Sequence, residues 1–189
     1  PQDIMDRLKK DLSLYAEEKL KSIEKIKTTD TFREAELLYK QGIEHIDASD
    51  LSAAFKGRTN INSQLDALLK KAEKSVLIMT TEKGLLRKNS LLRSAAKKMK
   101  NVKIRIAAPI ISKEAKKAAE ELKRFADVRH IDNITARFCM IDGKELVFMM
   151  MDEEKVHESY DTAVWVDSPF FTKALESMFE HAWNQGQKV

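Results

Sequence analysis

Between Thr135 and Asp152 the chain reads TARFCMIDGKELVFMMMD, and three side chains there are suited to chemistry: the Thr135 hydroxyl, the Arg137 guanidinium and the Asp142 carboxylate. Arg137 suits an oxyanion, because its planar fork offers two parallel donors to a carboxylate or a phosphate. Arg58, at the end of an earlier strand, is a second cation for the same anion. The alternative for Arg137 is a structural ion pair with Asp142 or another nearby acid. What the segment lacks is a nucleophile. A threonine hydroxyl has no low-cost nucleophilic state near neutral pH, whereas an imidazole does.

Other residues carry weaker signals. Thr80 and Thr81 stand at the carboxyl end of an apolar strand, the rim where open α/β sheets bind ligands; capping the following helix is the alternative role. Met149, Met150 and Met151, with Met140 and Cys139 nearby, would be soft ligands, but successive strand residues point to opposite faces and do not converge on one ion. No metal or cofactor is expected. His157 lies among Glu153, Glu154, Glu158 and Asp161, read as a solvated acidic loop.

The elements that must position these groups follow from periodicity. Residues 1–28 are charged and free of internal Gly and Pro after Pro1, with Met5, Leu8, Leu12, Tyr15 and Ile26 on a 3-4 spacing. That is a helix with an apolar seam, interrupted by Lys19 and Ser22, and Met5, Leu8, Leu12 and Tyr15 are its candidate dimerisation residues. A second amphipathic helix is expected over 32–45. Residues 1–49 thus form a helical coiled-coil linker or dimerisation arm, and 50–189 an α/β domain. In that domain strands are predicted at 51–56, 75–80, 102–108, 126–130 and 163–166, and helices at 61–74, 85–100 and 112–125, implying a parallel core. The hairpin 134–141/146–151 turns at Asp142-Gly143, a strong hairpin pair. A closing helix over 168–184 is capped by Ser168 with Pro169 in its first turn.

With 189 residues and 43% hydrophobic content the chain is long enough for a sizeable core. It has no apolar run near the roughly 20 residues of a membrane span, so a soluble, cytoplasmic protein is expected. The single cysteine excludes an intramolecular disulfide. Net charge is only +4, yet the window from Lys83 to Lys113 holds ten basic residues and no acid, leaving the remainder net acidic. Such a window is a phosphate, DNA or partner surface, or a solvated helix face. No aromatic residue interleaves with it, so a base-stacking platform is missing.

The segment 135–152 resembles the phospholipase D superfamily motif, His-x-Lys, four residues, Asp, then six residues to Gly-Ser-x-Asn. Asp142 takes the Asp place, Thr135 the nucleophilic His and Arg137 the Lys; Met149, Met150 and Asp152 stand at Gly, Ser and Asn. His45, His130, His157 and His181 are followed two positions later by Asp47, Asp132, Ser159 and Trp183, so none begins a His-x-Lys motif. The resemblance therefore implies the scaffold without phosphodiester hydrolysis. The whole order, with LSAAFKGRTNI, KKAEKSVLIMTT, LLRSAAKKMKNVKIRIAAP, RFCMIDGKELVFMM and AVWVDSPFFTKALESMFEHAW, resembles the TrmB family of archaeal transcriptional regulators. That resemblance implies a phospholipase-D-like mixed sheet flanked by helices and serving as an effector-sensing domain, a coiled-coil homodimer, and promoter DNA bound by a winged helix expected upstream of Pro1. The effector is an unidentified small molecule, and the candidate ligand residues are Arg58, Thr80, Thr81, Thr135, Arg137 and Asp142. A phospholipase-D-type nuclease and a ligand-free assembly module are the competing readings.

Overall fold

The computed structural model describes residues 2–40, 48–99, 101–132, 134 and 136–189. The chain divides into two compact units, residues 1–46 and 47–189. In the first, α1 (Gln2–Lys27) and α2 (Asp30–Lys40) are separated where the Thr28 and Thr29 hydroxyls donate to the carbonyls of Lys25 and Ile26, at 2.7 and 2.6 Å. Thr29 also accepts from the Phe32 N–H, which starts α2 as a helix cap does. Along α1, Met5, Leu12, Tyr15 and Ile26 are exposed, as are Ile4, Leu20 and Ile23. The side chain of Leu8 lies outside those described.

The second unit is built on one mixed sheet of eight strands in the order β1-β7-β6-β5-β2-β3-β4-β8. Its parallel half is β2 (Ser75–Met79), β3 (Lys103–Ala108) and β4 (Asp127–His130). Its antiparallel half is β5 (Phe138–Ile141), β6 (Glu145–Met149), β7 (Thr162–Asp167) and β1 (Ser52–Lys56). β8 (Gln187–Lys188) pairs with β4. The seam is β2, parallel to β3 and antiparallel to β5, with Val76–Met79 all buried. A strand buried on both faces reads as a continuous apolar run, which is how β2 appeared in the sequence.

Two cores cover the sheet. One is made with α4 (Arg58–Leu69), α5 (Glu82–Ala96) and α6 (Lys113–Leu122), whose residues Leu65, Leu85, Leu92 and Leu122 meet Ile78, Ile106, Cys139 and Val147. The other is made with α7 (Pro169–Gln185), whose Phe179 and Trp183 meet Leu77, Met79, Phe138 and Met140. Cys139 and Met140 therefore serve opposite cores, as the strand period requires. Ser112 caps α6 and Ser168 caps α7.

Several boundaries differ from the expected ones. A four-residue helix, α3 (Ala48–Leu51), precedes β1, so Leu51 is helical. α4 begins at Arg58 rather than Ile61, because Gly57 takes the positive φ of 86° that lets the chain turn straight into the helix. β5 begins at Phe138 rather than Ile134; Ile134 and Ala136 pack against the α7 core without joining the ladder. β8 had no counterpart in the sequence reading.

Candidate functional site

The carboxyl end of β2, the entry to β5 and the first turns of α4 and α5 meet at one rim of the sheet, and most of the candidate residues gather there. Arg137 immediately precedes β5, pinned by a bond from the Met149 N–H to its carbonyl at 2.9 Å. Its side chain is only 7% exposed. The guanidinium donates to the Met151 carbonyl and pairs with Glu153 at 3.3 Å and Asp161 at 3.5 Å. Arg58, at the start of α4, pairs with the same Asp161 at 3.4 Å and with Glu158 at 3.5 Å. Arg87, from α5, pairs with Glu153, and Thr81 donates its hydroxyl hydrogen to that carboxylate.

Thr81 takes the capping role that was the alternative for it. It caps α5, accepting from the Gly84 N–H at 3.0 Å, and it faces the crater through Glu153. Thr80 is buried, and its hydroxyl oxygen has no hydrogen-bond partner. Such an orphan is unusual, since buried polar groups are nearly always satisfied. Gly84 explains the crowding. A Cβ there would collide with Thr80 Oγ1 and come within 3.1 Å of Thr81 Oγ1 and 3.6 Å of Lys88 Nζ, so three polar groups close around one bare Cα.

Asp142 is not brought to this cluster. It stands past the other end of β5, at φ 55°, where its carboxylate accepts from the backbone N–H groups of Glu73, Lys74 and Ser75 at 3.0, 2.7 and 2.9 Å. Burial pushes its carboxyl up, but the three N–H donors outweigh this and hold it below the usual range. Arg137 accordingly pairs with Glu153 and Asp161 instead of Asp142. Thr135 lies outside the described residues.

Four further side chains join the cluster: Glu153 and Asp161, and Arg87 and Lys88, which the sequence places only in the basic window. The two acids had been read as part of a solvated loop, yet both side chains are 4% exposed. Desolvation pushes Glu153 up, and its bonds to Arg87 and Thr81 with the charge of Arg137 bring it below its ordinary value. Among the described residues Lys88 has no hydrogen-bond or ion-pair partner; burial, then the charges of Arg87 and Arg137, pull its amine down to about 8. The spacing 81, 84, 88 puts Thr81, Gly84 and Lys88 on one face of α5 and was legible in the sequence. The acids had no such signal, because loops carry no period.

Two cavities of about 10 Å³ flank this cluster, each room for one water. Thr80, Lys88, Arg137 and Cys139 line one; Arg58, Arg87, Lys88, Arg137 and Asp161 line the other. Outside, an open groove of about 440 Å³ runs from Lys56 to Asn62 past Glu158 and shares Arg58 and Asn62 with the inner cavity. None of the described histidines, His130, His157 and His181, lines these spaces. His130 instead accepts from the Ile110 N–H, and His157 caps the 3-10 turn at Glu158–Tyr160. Burial pushes the Cys139 thiol up to about 12, so it is no nucleophile at neutral pH. Met150 and Met151 are exposed, whereas Met140 is buried in the α7 core.

Part of the basic window is engaged within the fold. Lys83 pairs with Glu154, Arg93 with Glu121 and Arg105 bidentately with Glu180, while Arg87 and Lys88 belong to the crater.

Comparison with known proteins follows the same lines. Residues 53–189 match the family model described as transcriptional regulator TrmB, EBD N-terminal subdomain. Among solved structures, TrmBL2, an archaeal chromatin protein whose structure shows a novel mode of DNA binding, is 18% identical with a TM-score of 0.60, covering 100% of this chain and 71% of that one. Nuc from Salmonella typhimurium, a phospholipase D family member, is 14% identical with a TM-score of 0.59, over 73% of this chain and 98% of that one. NucT from Helicobacter pylori is 12% identical with a TM-score of 0.58 over the same shares. These likenesses show a phospholipase-D-like fold. No curated protein matches the chain.

Proposed function

The chain belongs to the TrmB family of transcriptional regulators, and from that premise we propose that it senses a small-molecule effector in the crater at Arg137 and transmits binding to DNA through a homodimer. It is a regulator region on a phospholipase-D-like fold. The observation that carries the reading is a cluster of cations at the carboxyl end of the central strand: buried Arg137 with the partly exposed Arg58, Arg87 and Lys88 around it, and no described histidine beside them. Arg58, Thr80, Thr81 and Arg137 face the effector. Asp142 holds the frame from the far end of β5 and makes no ligand contact.

The exposed apolar residues of α1, with Met5, Leu12 and Tyr15 at seam spacing, support pairing with a second copy. Family membership supports contact with promoter DNA through a separate winged helix, in an archaeal cytoplasm. Among the described residues, no helix is long and apolar enough to cross a membrane. Among the described residues no histidine lines the crater, and burial pushes the Cys139 thiol up, which supports a binding role over phosphodiester hydrolysis.

The small size of the inner cavities favours a second reading, an assembly module whose crater is filled by its own side chains. One experiment separates the two. A thermal-shift screen against sugars, sugar phosphates, nucleotides and carboxylates is expected to give a stabilising compound whose effect disappears in Arg137→Ala, because a ligand of the native state raises its melting temperature. A screen in which nothing shifts the wild type supports the assembly module. Turnover of a generic phosphodiester would refute both.

A further inference from the structure

The crater is already occupied. Glu153, carried on the loop 150–157 between β6 and the 3-10 turn, places its carboxylate among Thr81, Arg87 and Arg137. This is the position an anionic ligand would take, and the side chain filling it belongs to a loop whose neighbours Met150, Met151, Asp152, Glu154 and Lys155 are exposed. The fit is incomplete. A carboxylate has two oxygens, and those of Glu153 are taken by Thr81 on one and Arg87 and Arg137 on the other. Thr80 remains buried without a hydrogen-bond partner, and the half-buried Lys88, which lines the same inner cavity, has no hydrogen bond or ion pair to a described residue. The cluster therefore holds more donors than its resident anion can satisfy, the buried Thr80 hydroxyl and the half-buried Lys88 ammonium among them.

We propose that Glu153 is a displaceable internal occupant, and that the effector presents a tetrahedral oxyanion, a phosphate or phosphomonoester group, that takes its place and frees the loop 150–157. This rests on the crater being the effector site. A tetrahedral oxyanion has the oxygens to keep Thr81, Arg87 and Arg137 satisfied and to reach Lys88 and Thr80 as well. The space vacated by the carboxylate joins the two cavities that Lys88 and Arg137 both line. The organic part of a phosphomonoester extends into the outer groove beside Arg58. Once displaced, Glu153 no longer ties the loop to α5; the surface pair Lys83–Glu154 at 2.9 Å, the Met151 carbonyl on Arg137 and, at the loop's start, the Met150 N–H on the Thr162 carbonyl at 2.9 Å still hold it. Binding is thereby converted into release of a surface segment, a two-state element of the kind a sensor needs.

The test uses inorganic phosphate as the probe, with acetate at matched ionic strength as the carboxylate arm. Calorimetric titration of the wild type, Glu153→Gln and Thr80→Val is followed by limited trypsin digestion, reading cleavage after the exposed Lys155 by mass spectrometry. The expected results are phosphate binding about tenfold tighter in Glu153→Gln, weaker binding in Thr80→Val, little competition by acetate, and faster cleavage after Lys155 in wild type when phosphate is present. Equal phosphate affinity in wild type and Glu153→Gln, or binding in neither, would overturn the proposal, as would an unchanged cleavage rate. If phosphate fails while another compound stabilises the wild type but not Arg137→Ala, crater sensing stands and the exchange with Glu153 falls.

Discussion

The two ends of β5 carry the two charged residues that define its motif, and they have been put to opposite uses. At the turn, Asp142 spends its carboxylate on three backbone N–H groups, fixing the start of β2 against the β5–β6 hairpin. At the entry, Arg137 shares its guanidinium among a carbonyl and two carboxylates that are themselves shared with Arg87 and Arg58. The Asp142 bonds are made to the main chain as it enters β2, so they hold the turn to that strand. The bonds around Arg137 join side chains of the 150–161 segment to it and to side chains on α4 and α5, and an anion can compete for these. The fold is thus rigid at one end of the strand and exchangeable at the other, which is the division a sensing domain requires.

The comparison is broken most forcefully at Arg137. Replacing it with Ala leaves Glu153 and Asp161 buried with one cation each, and should cost about 3 kcal/mol in chemical denaturation. Part of that loss should return when Glu153→Gln is added, since the uncompensated charge is then gone; a full-size loss in the double variant would mean that Arg137 acts through packing. Asp142→Ala should cost about 2 kcal/mol through three stranded N–H donors, with ligand binding unchanged. Its pH signature has a definite sign. Because the folded pKa of Asp142 lies below the unfolded one, its contribution is present above the unfolded value and is lost as pH falls through the folded value. The variant's acid unfolding curve should lack that component.

Much of the frame was legible in the sequence. The apolar run of β2, the Asp-Gly hairpin, and the caps at Ser112 and Ser168 are local signals, and each element stands where its signal put it. The site was legible on its cationic side only. Arg137 and Arg58 follow from strand positions, but Glu153 and Asp161 sit in a stretch that reads as solvated acids because nothing local says they fold back onto a cation. The entry of β5 was misplaced for a related reason. Ile134 and Ala136 continue the apolar alternation that marks a strand, yet they bury themselves in the α7 core outside the ladder. Pattern reports burial there, and hydrogen bonding is decided by where the neighbouring strand runs.

Two smaller effects sharpen the contrast. Lys88→Met should raise stability at pH 7 by about 1–3 kcal/mol, because a folded pKa lowered to about 8 means the protonated amine opposes folding. The wild type should accordingly gain stability as pH rises from about 8 toward the unfolded value near 10.5, and the variant should not. At the turn end, Gly143 has a φ of 67° and open space around it, so Gly143→Ala should cost about 1 kcal/mol through backbone strain alone, leaving the crater untouched.

The most direct test of a rigid end and an exchangeable end is to titrate one stabilising compound from the thermal-shift screen into three proteins: the wild type, Asp142→Asn and Arg137→Ala. The account predicts that Asp142→Asn melts lower but shows the full ligand-induced rise, while Arg137→Ala shows none. Equal rises in the two variants, or a rise lost in Asp142→Asn and kept in Arg137→Ala, would contradict it.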